Sequence, residues 1–302
     1  MDSVLLIDKS VGKTSYQTIS ELKRLLKIQK AGHSGTLDKF ASGLLVVCTG
    51  WTTRLANQFL NSDKRYIGEV RLGIVTDTYD IEGKIIERQD CTGLSYDRIL
   101  QIKKRFTGEM LQLPPKYSAI KIGGRRASDL AREGREVELK ERKIFIKELN
   151  IQKFDLDNSI ITIDVLCSKG TYIRSLAKDI GEFLGTGAYL QSLRRVASGS
   201  FSVENAVTLS QLTEHVEGNI IDKTFHYNPV EALSGLSSII VKDSIRHRII
   251  NGAYFRRGDV IEINNREDNP FMILDENKNL IAIADIDISN WKIEYKSVFN
   301  KG

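Results

Sequence analysis

The sequence predicts an α+β protein with a small β-rich terminal domain, and two observations carry that expectation. Strand-like and helix-like stretches succeed one another through the first 235 residues without a regular strand–helix–strand repeat. Beyond Ser237 the texture changes to short apolar runs separated by turn residues. A chain of 302 residues is long enough for one large or two unequal cores.

The elements follow in order. Val4–Ile7 is an apolar run of strand character. Thr14 or Ser15 caps a helix reaching about Leu26, because Ile19, Leu22, Leu25 and Leu26 recur at helical spacing. Leu44-Leu45-Val46-Val47 is a buried strand or helix. Tyr66–Leu72 alternates, and Lys84–Glu87 follows a turn at Asp80–Gly83, which predicts a hairpin. Tyr96–Phe106 is helical, and Pro114-Pro115 forces an extended segment. Ala127–Arg132 is a short basic helix ending at Gly134. Ile144–Phe154 and Ile160–Cys167 alternate as paired strands. Thr171–Leu184 is a helix closed by Gly185. Ile239–Val241, Val260–Ile263, Phe271–Leu274 and Leu280–Ala284 are the short strands of the terminal domain. The expected division is 1–232 and 236–302, with the linker near Asn228–Leu236.

Composition excludes several function classes. No apolar stretch approaches the about 20 residues of a membrane span, and Met1–Asp8 begins acidic and runs into a strand, so no signal peptide and no membrane partner are expected. Three scattered cysteines (Cys48, Cys91, Cys167) fit a reducing cytoplasm rather than a disulfide framework or a zinc site. The net charge of +5 lies wholly in residues 1–235, because 236–302 holds ten basic and ten acidic groups. Residues 116–147 carry ten basic against five acidic groups, and Lys23, Arg24, Lys27 and Lys30 line a helix-like run. Such stripes are either solvated faces or a polyanion interface.

Two motifs fail on inspection. Val11-Gly12-Lys13-Thr14 ends like a phosphate-binding loop, but Ile7 stands where its first glycine belongs. Thr78–Gln89 resembles a calcium loop but lacks an acid at either end. The segment Gly32–Gly43 is more informative: three glycines in twelve residues surround Asp38, with His33 upstream. Asp38 is a catalytic carboxylate or the cap of the next element, and this segment alone favours the cap. Tyr66 opens a strand after two bases, as a core aromatic or a ligand-facing one. Tyr172 and Arg174 sit where a strand turns into a helix, a natural anion site, although a surface arginine accounts for Arg174 equally well. Gln112–Lys121 is a rigid polar loop feeding the basic segment.

Taken together, these blocks resemble the TruB type of pseudouridine synthase, the tRNA pseudouridine-55 synthase family. The resemblance covers about residues 4–210. It rests on Leu6–Lys9 with Gly12 and Thr14-Ser15; Gly32–Gly43; Lys64-Arg65-Tyr66 with Leu72-Gly73 and Thr76–Thr78; Pro114-Pro115 with Tyr117–Ala119 and Lys121; Ala131-Arg132 with Gly134; and Cys167–Arg174 running to Leu193–Arg195. Ile249–Ala253 resembles, more weakly, the start of a PUA-like RNA-binding domain.

The resemblance implies a mixed, largely antiparallel central sheet flanked by helices, and isomerisation of uridine 55 in the tRNA T-loop after base flipping. It implies that Asp38 is the essential group, as nucleophile or in removing a ribose proton. Arg174 would pair with it, Tyr66 would stack on the base, and Tyr172 and Leu193 would form the pocket. His33 would fill the vacated stack and Lys9 would support the site. The basic stripes would bind phosphates of the tRNA T-arm. No cofactor or metal is required, and a cytoplasmic monomer is expected. The alternatives are a tRNA-binding and refolding module, or a guide-RNA-dependent relative, which the absence of long basic tails disfavours. Three positions depart from the family pattern: Ser10, Lys39-Phe40 and Ser128.

Overall fold

A ten-stranded sheet organises most of the chain in the computed structural model, which describes residues 1–218, 224–264 and 269–299. Its region contains β1 (Val4–Lys9), β2 (Ala31–His33), β3 (Ser42–Thr49), β4 (Lys64–Leu72), β5 (Ile74–Thr76), β6 (Ile85–Arg88) and β7 (Gly108–Gln112). Then come β8 (Lys121–Ile122), β9 (Arg125–Arg126), β10 (Arg142–Asp155), β11 (Ile160–Cys167), β12 (Ala188–Ser198), β13 (Phe201–Ser202) and β14 (His226–Tyr227). The order is β14-β1-β3-β12-β4-β11-β10-β7, with β2 on β3 and β13 on β12. The β3–β12 contact is parallel and its neighbours are antiparallel. The expected mixed, largely antiparallel sheet is therefore present.

The helices are α1 (Ser15–Leu25), α2 (Ala56–Leu60), α3 (Tyr96–Phe106), α4 (Ala127–Arg132), α5 (Ile173–Leu184), α6 (Leu209–Glu217), α7 (Pro229–Ala232) and α8 (Arg246–Ile250). Helix α1 starts where Thr14 and Gln17 exchange backbone and side-chain hydrogen bonds, a reciprocal capping box. Helix α5 ends at Gly185, whose φ of 76° is the left-handed conformation glycine adopts without a Cβ penalty. The amphipathic helices α3 and α5 bury Ile99, Ile102, Phe106, Leu176, Ala177 and Ile180 against Val70, Ile161, Ile163 and Leu190 of the sheet. Each buried leucine, isoleucine, valine or phenylalanine side chain among them contributes about 1.5–3 kcal/mol of transfer free energy.

The terminal region forms a separate five-stranded sheet in the order β16-β15-β17-β18-β19, from Ser237–Val241 (β15), Val260–Asn264 (β16), Phe271–Leu274 (β17), Leu280–Asp287 (β18) and Lys292–Val298 (β19). One face closes its own core over α8 through Ile239, Ile249, Ile273 and Ile281. The other face sends Met272, Leu274, Leu280 and Ile283 into the core of β1, β3 and α1.

Three expectations change. The hairpin partner of Ile85–Arg88 is Ile74–Thr76, not Tyr66–Leu72. Gly73, at φ 83°, ends β4, whose two neighbours are instead β11 and β12. Asp38 caps no helix, because the apolar run after it is the strand β3. The helix at Thr171 begins at Ile173, with Tyr172 at its N-cap. Within the stretch expected as the linker, Asn228 caps α7, and Ala232 and Leu233 are buried in the first core.

Gly43 is the tightest point of the sheet. Its φ is 103°, and a Cβ there would lie 2.3 Å from the Arg195 carbonyl oxygen. Gly43→Ala should therefore combine overpacking with backbone strain and cost about 3 kcal/mol of stability, read as a lower midpoint in chemical denaturation.

Candidate active site

Sheet register assembles the first layer of the site. Lys9 pairs with Gly43, Gly43 with Arg195, Arg195 with Tyr66, and Tyr66 with Val165. These residues from five strands form one row, and directly opposed residues share a face of the pleat. Arg195 is 2 % exposed. Its Nε donates to the Leu44 carbonyl at 2.7 Å and its Nη2 to the Gly35 carbonyl at 3.1 Å. It thereby ties the glycine-rich segment to the sheet. Ser15 fixes the same segment at Leu37: its hydroxyl receives the Leu37 N–H at 2.9 Å and donates to the Leu37 carbonyl at 3.1 Å.

Asp38 emerges from that segment between buried Leu37 and Phe40. Arg174, in the first turn of α5, meets it. Arg174 Nε lies 3.0 Å from Asp38 Oδ2, and Nη2 donates to Asp38 Oδ1 at 3.4 Å. The Arg174 side chain is 6 % exposed and that of Asp38 is 38 % exposed. The carboxylate thus keeps an open side while its counter-ion is enclosed.

Arg174 has further partners. Its Nη1 lies 3.2 Å from Asp80 Oδ2 and donates to the Thr78 carbonyl at 3.3 Å, and its Nη2 donates to the Tyr117 carbonyl at 3.0 Å. Asp80 in turn accepts from the Thr78 hydroxyl at 2.6 Å and the Glu82 N–H at 3.0 Å. A guanidinium held on several sides is oriented and permanently charged. Burial pushes the Asp38 carboxyl above the usual aspartate value, Arg174 and Lys9 pull it back, and Asp80 pushes it up again.

Of the other expected site residues, Lys9, Tyr66 and Tyr172 feel the Asp38 charge, His33 feels Arg195, and Leu193 is placed by the sheet. Burial pushes the Lys9 ammonium down to about 8, opposed by Asp38. Its Nζ donates to the Ser10 and Lys13 carbonyls at 2.9 and 2.6 Å, so it closes the turn before α1. Burial pushes the Tyr66 phenol up, with Arg195 opposing. Burial and Arg195 push the His33 pKa below the usual histidine value. Leu193 opposes Gly68, on the same face as Tyr66 two positions along β4, and packs in the helix-covered core. Tyr172 is the N-cap of α5, and burial pushes its phenol up. The first two members of Lys64-Arg65-Tyr66 have structural roles: Lys64 Nζ donates to the carbonyls of Phe59, Leu60 and Ser62, and Arg65 makes two 2.8 Å bonds to Asp164.

Asp80, Arg195 and Gln112 are brought to the site without having been singled out. Asp80 stood out only as part of a turn and a rejected calcium loop, Arg195 and Gln112 only as members of longer blocks. The departures at Lys39-Phe40 are accommodated: Phe40 is 6 % exposed in the core, and exposed Lys39 lies 4.0 Å from Glu82. Among the described residues no group of three or more His, Cys, Asp or Glu could hold a metal ion, and no helix is long and apolar enough to cross a membrane.

The Lys9 environment gives a direct test. Its folded pKa is about 8 against an ordinary 10.5, so between those values the folded state binds fewer protons than the unfolded state. This group's contribution therefore makes stability rise with pH across that window. An NMR titration of the Lys9 Cε resonance should show a midpoint near 8, and in Asp38→Asn the midpoint should fall further, because a stabilising negative charge is gone.

Comparison with known proteins identifies the family of the chain. Residues 23–173 match the model of the TruB family pseudouridylate synthase N-terminal domain. Residues 174–233 match the tRNA pseudouridylate synthase B C-terminal domain, which here lies within the large-sheet region and α7. The tRNA pseudouridine synthase B of Clostridioides difficile (strain 630) is 36 % identical over 299 residues, covering 98 % of both chains. That of Francisella tularensis subsp. novicida (strain U112) is 45 % identical over 215 residues, covering 71 % of this chain and 70 % of its own. A chain of an H/ACA RNP bound to a substrate RNA containing 2′-deoxyuridine shares the fold, with a TM-score of 0.75 at 23 % identity over 99 % of this chain and 85 % of its own. Two family models that together run from residue 23 to 233, and a full-length relative at 36 % identity, show that this chain belongs to the TruB family of pseudouridylate synthases.

Proposed function

We propose that this protein converts uridine 55 in the T-loop of tRNA to pseudouridine, with Asp38 as the essential group. The observation that carries the reading is a carboxylate open on one side and held on the other by an enclosed arginine, in a chain of this family. The reaction breaks the N1–C1′ bond, forms C5–C1′, removes the C5 proton and protonates N1. The target base is flipped from its stack to reach the carboxylate. Covalent addition and ribose deprotonation both use Asp38 in its ionised form, which Arg174 and Lys9 favour.

Tyr66 stacks on the flipped base. Its raised phenol pKa makes it a poor proton acceptor near neutral pH, so it contributes a π-face rather than a base. Tyr172 and Leu193 flank the base, and His33 fills the vacated stack. Lys9 supports the loop that carries the site. The ten basic side chains of 116–147 are all exposed, as are Arg24, Lys27 and Lys30. They bind phosphates of the T-arm. The relatives of 36–45 % identity bear the name tRNA pseudouridine synthase B, which favours a stand-alone tRNA enzyme over a guide-dependent one, working as a cytoplasmic monomer.

Residues 236–302 are a PUA-like RNA-binding domain beside a catalytic domain of 1–232. The region is neutral in sum, yet Arg246, His247, Arg248, Arg256 and Arg257 fall between positions 244 and 258 with no acid among them. Tyr254, 64 % exposed, stacks on Tyr295 with ring centroids 6.0 Å apart and planes 6° from parallel. An exposed aromatic among arginines, backed by a second ring, suits a nucleic-acid strand.

Asp38→Asn should lower pseudouridine formation on an unmodified tRNA transcript on the order of a thousandfold or more, with tRNA affinity nearly unchanged. Near-normal turnover would remove Asp38 from the mechanism, and pseudouridine formed only outside the T-loop would sink the substrate reading. The same variant separates chemistry from tRNA refolding, which it should retain if both activities coexist. In the terminal domain, the double substitution Tyr254→Ala with Arg256→Glu should weaken binding of whole tRNA several-fold and flatten its salt dependence. Binding of an isolated T-arm stem-loop should be unaffected, and equal losses on both RNAs would refute that placement.

A further inference from the structure

We infer that Gln112 is a positioning residue for Arg174 and acts by clamping the backbone of Tyr172; this rests on the function proposed above. Gln112 ends the edge strand β7, is 2 % exposed and lies 60 residues from Tyr172 in sequence. Its Oε1 accepts from the Tyr172 N–H at 2.8 Å, and its Nε2 donates to the Tyr172 carbonyl at 3.0 Å. Both polar groups of one residue's backbone are thereby held by one side-chain amide.

The clamp replaces something α5 lacks. Tyrosine is a poor N-cap, and Tyr172 makes no side-chain capping bond. The first turn of α5 therefore does not fix its own start, yet Arg174 lies two residues beyond the clamp and must meet both Asp38 and Asp80. The strip that follows Gln112 adds two more ties to the same turn. The Leu113 carbonyl accepts from the Ser175 hydroxyl at 2.7 Å, and the Tyr117 carbonyl accepts from Arg174 Nη2 at 3.0 Å. Between these two carbonyls lie buried Pro114 and Pro115, which have fixed φ and no N–H to compete for partners. Gln112 is the member of the strip that grips backbone through its side chain, so substituting it removes the clamp while leaving the chain path in place.

The amide is suited to this job because it donates and accepts at once. A glutamate there, when ionised, still accepts from the Tyr172 N–H but repels the carbonyl. When protonated it carries one O–H donor and one C=O acceptor, as the amide does. The decisive measurement is the steady-state rate of pseudouridine formation over a range of tRNA concentrations. For Gln112→Ala, kcat should fall on the order of ten- to a hundredfold, with KM for tRNA within about twofold of wild type. For Gln112→Glu, the ratio of its kcat to that of wild type should rise as pH is lowered from about 8 to about 6, a recovery that a packing defect would not give. An unchanged kcat in Gln112→Ala, a loss confined to KM, or a pH-independent ratio for Gln112→Glu would overturn the inference. If Gln112→Ala does not fold, the Gln112→Glu ratio decides. The wild-type protein is measured in the same assay: lack of wild-type product counts against the proposed function, whereas an active wild type with an indifferent Gln112 counts against the clamp alone.

Discussion

An enclosed guanidinium is the constraint around which this molecule is arranged. A charge removed from water is tolerated only with compensating charges and hydrogen bonds. Arg174 obtains them from three separate parts of the chain: Asp38 in the glycine-rich segment, Asp80 and Thr78 in the turn after β5, and Tyr117 after the double proline. None of the three is near it in sequence. The fold brings them together, and their shared partner fixes their relative positions. One carboxylate, Asp80, is buried and fully engaged, whereas Asp38 retains an accessible side. Two carboxylates on one arginine are thus differentiated by environment, and the accessible one remains available for chemistry.

The sheet provides the platform for this cluster. The row Lys9, Gly43, Arg195, Tyr66 and Val165 crosses five strands, and its close approach at the parallel β3–β12 contact depends on Gly43 lacking a Cβ. Arg195 converts that approach into a tether by bonding the Leu44 and Gly35 carbonyls. Arg174 and Lys9 offset the negative charge of Asp38 and Asp80, while Arg195 acts on Tyr66 and His33. Lys9 and Arg195 spend their hydrogen bonds on backbone carbonyls, so their fields act on the site while their positions are fixed by the main chain.

The terminal sheet is bound in rather than tethered. One of its faces closes a small core of its own and the other joins the core of β1, β3 and α1. This explains why the stretch Asn228–Leu236, read as a linker from its composition, contains a capped helical turn with Ala232 and Leu233 buried. Exposed Tyr254 and the arginines of 246–257 lie on α8 and the loop that follows it, beside that sheet.

Much of the architecture was legible in the sequence because it is written in local rules. Helical spacing in Ile19–Leu26, the Thr14 cap, alternation in Ile144–Phe154 and Ile160–Cys167 and the Gly185 stop each depend on residues a few positions apart. Motif order likewise pointed to Asp38, Tyr66 and Arg174 together. Other features depend on partners far along the chain. Tyr66–Leu72 alternates regardless of which strands flank it, so its neighbours β11 and β12 could not be read from its pattern. The run Ala188–Ser198 mixes Arg194 and Arg195 with apolar residues, and only its central place in the sheet makes it a strand. Asp80 reads as a turn residue until Arg174 arrives, and Gln112 reads as a polar residue before two prolines until Tyr172 supplies its partner. By itself the sequence determined the local elements, the position of the carboxylate and the family pattern. The tertiary structure decided which charges are buried together and which atoms hold them, because a buried ion's partners are chosen by three-dimensional proximity and not by spacing along the chain.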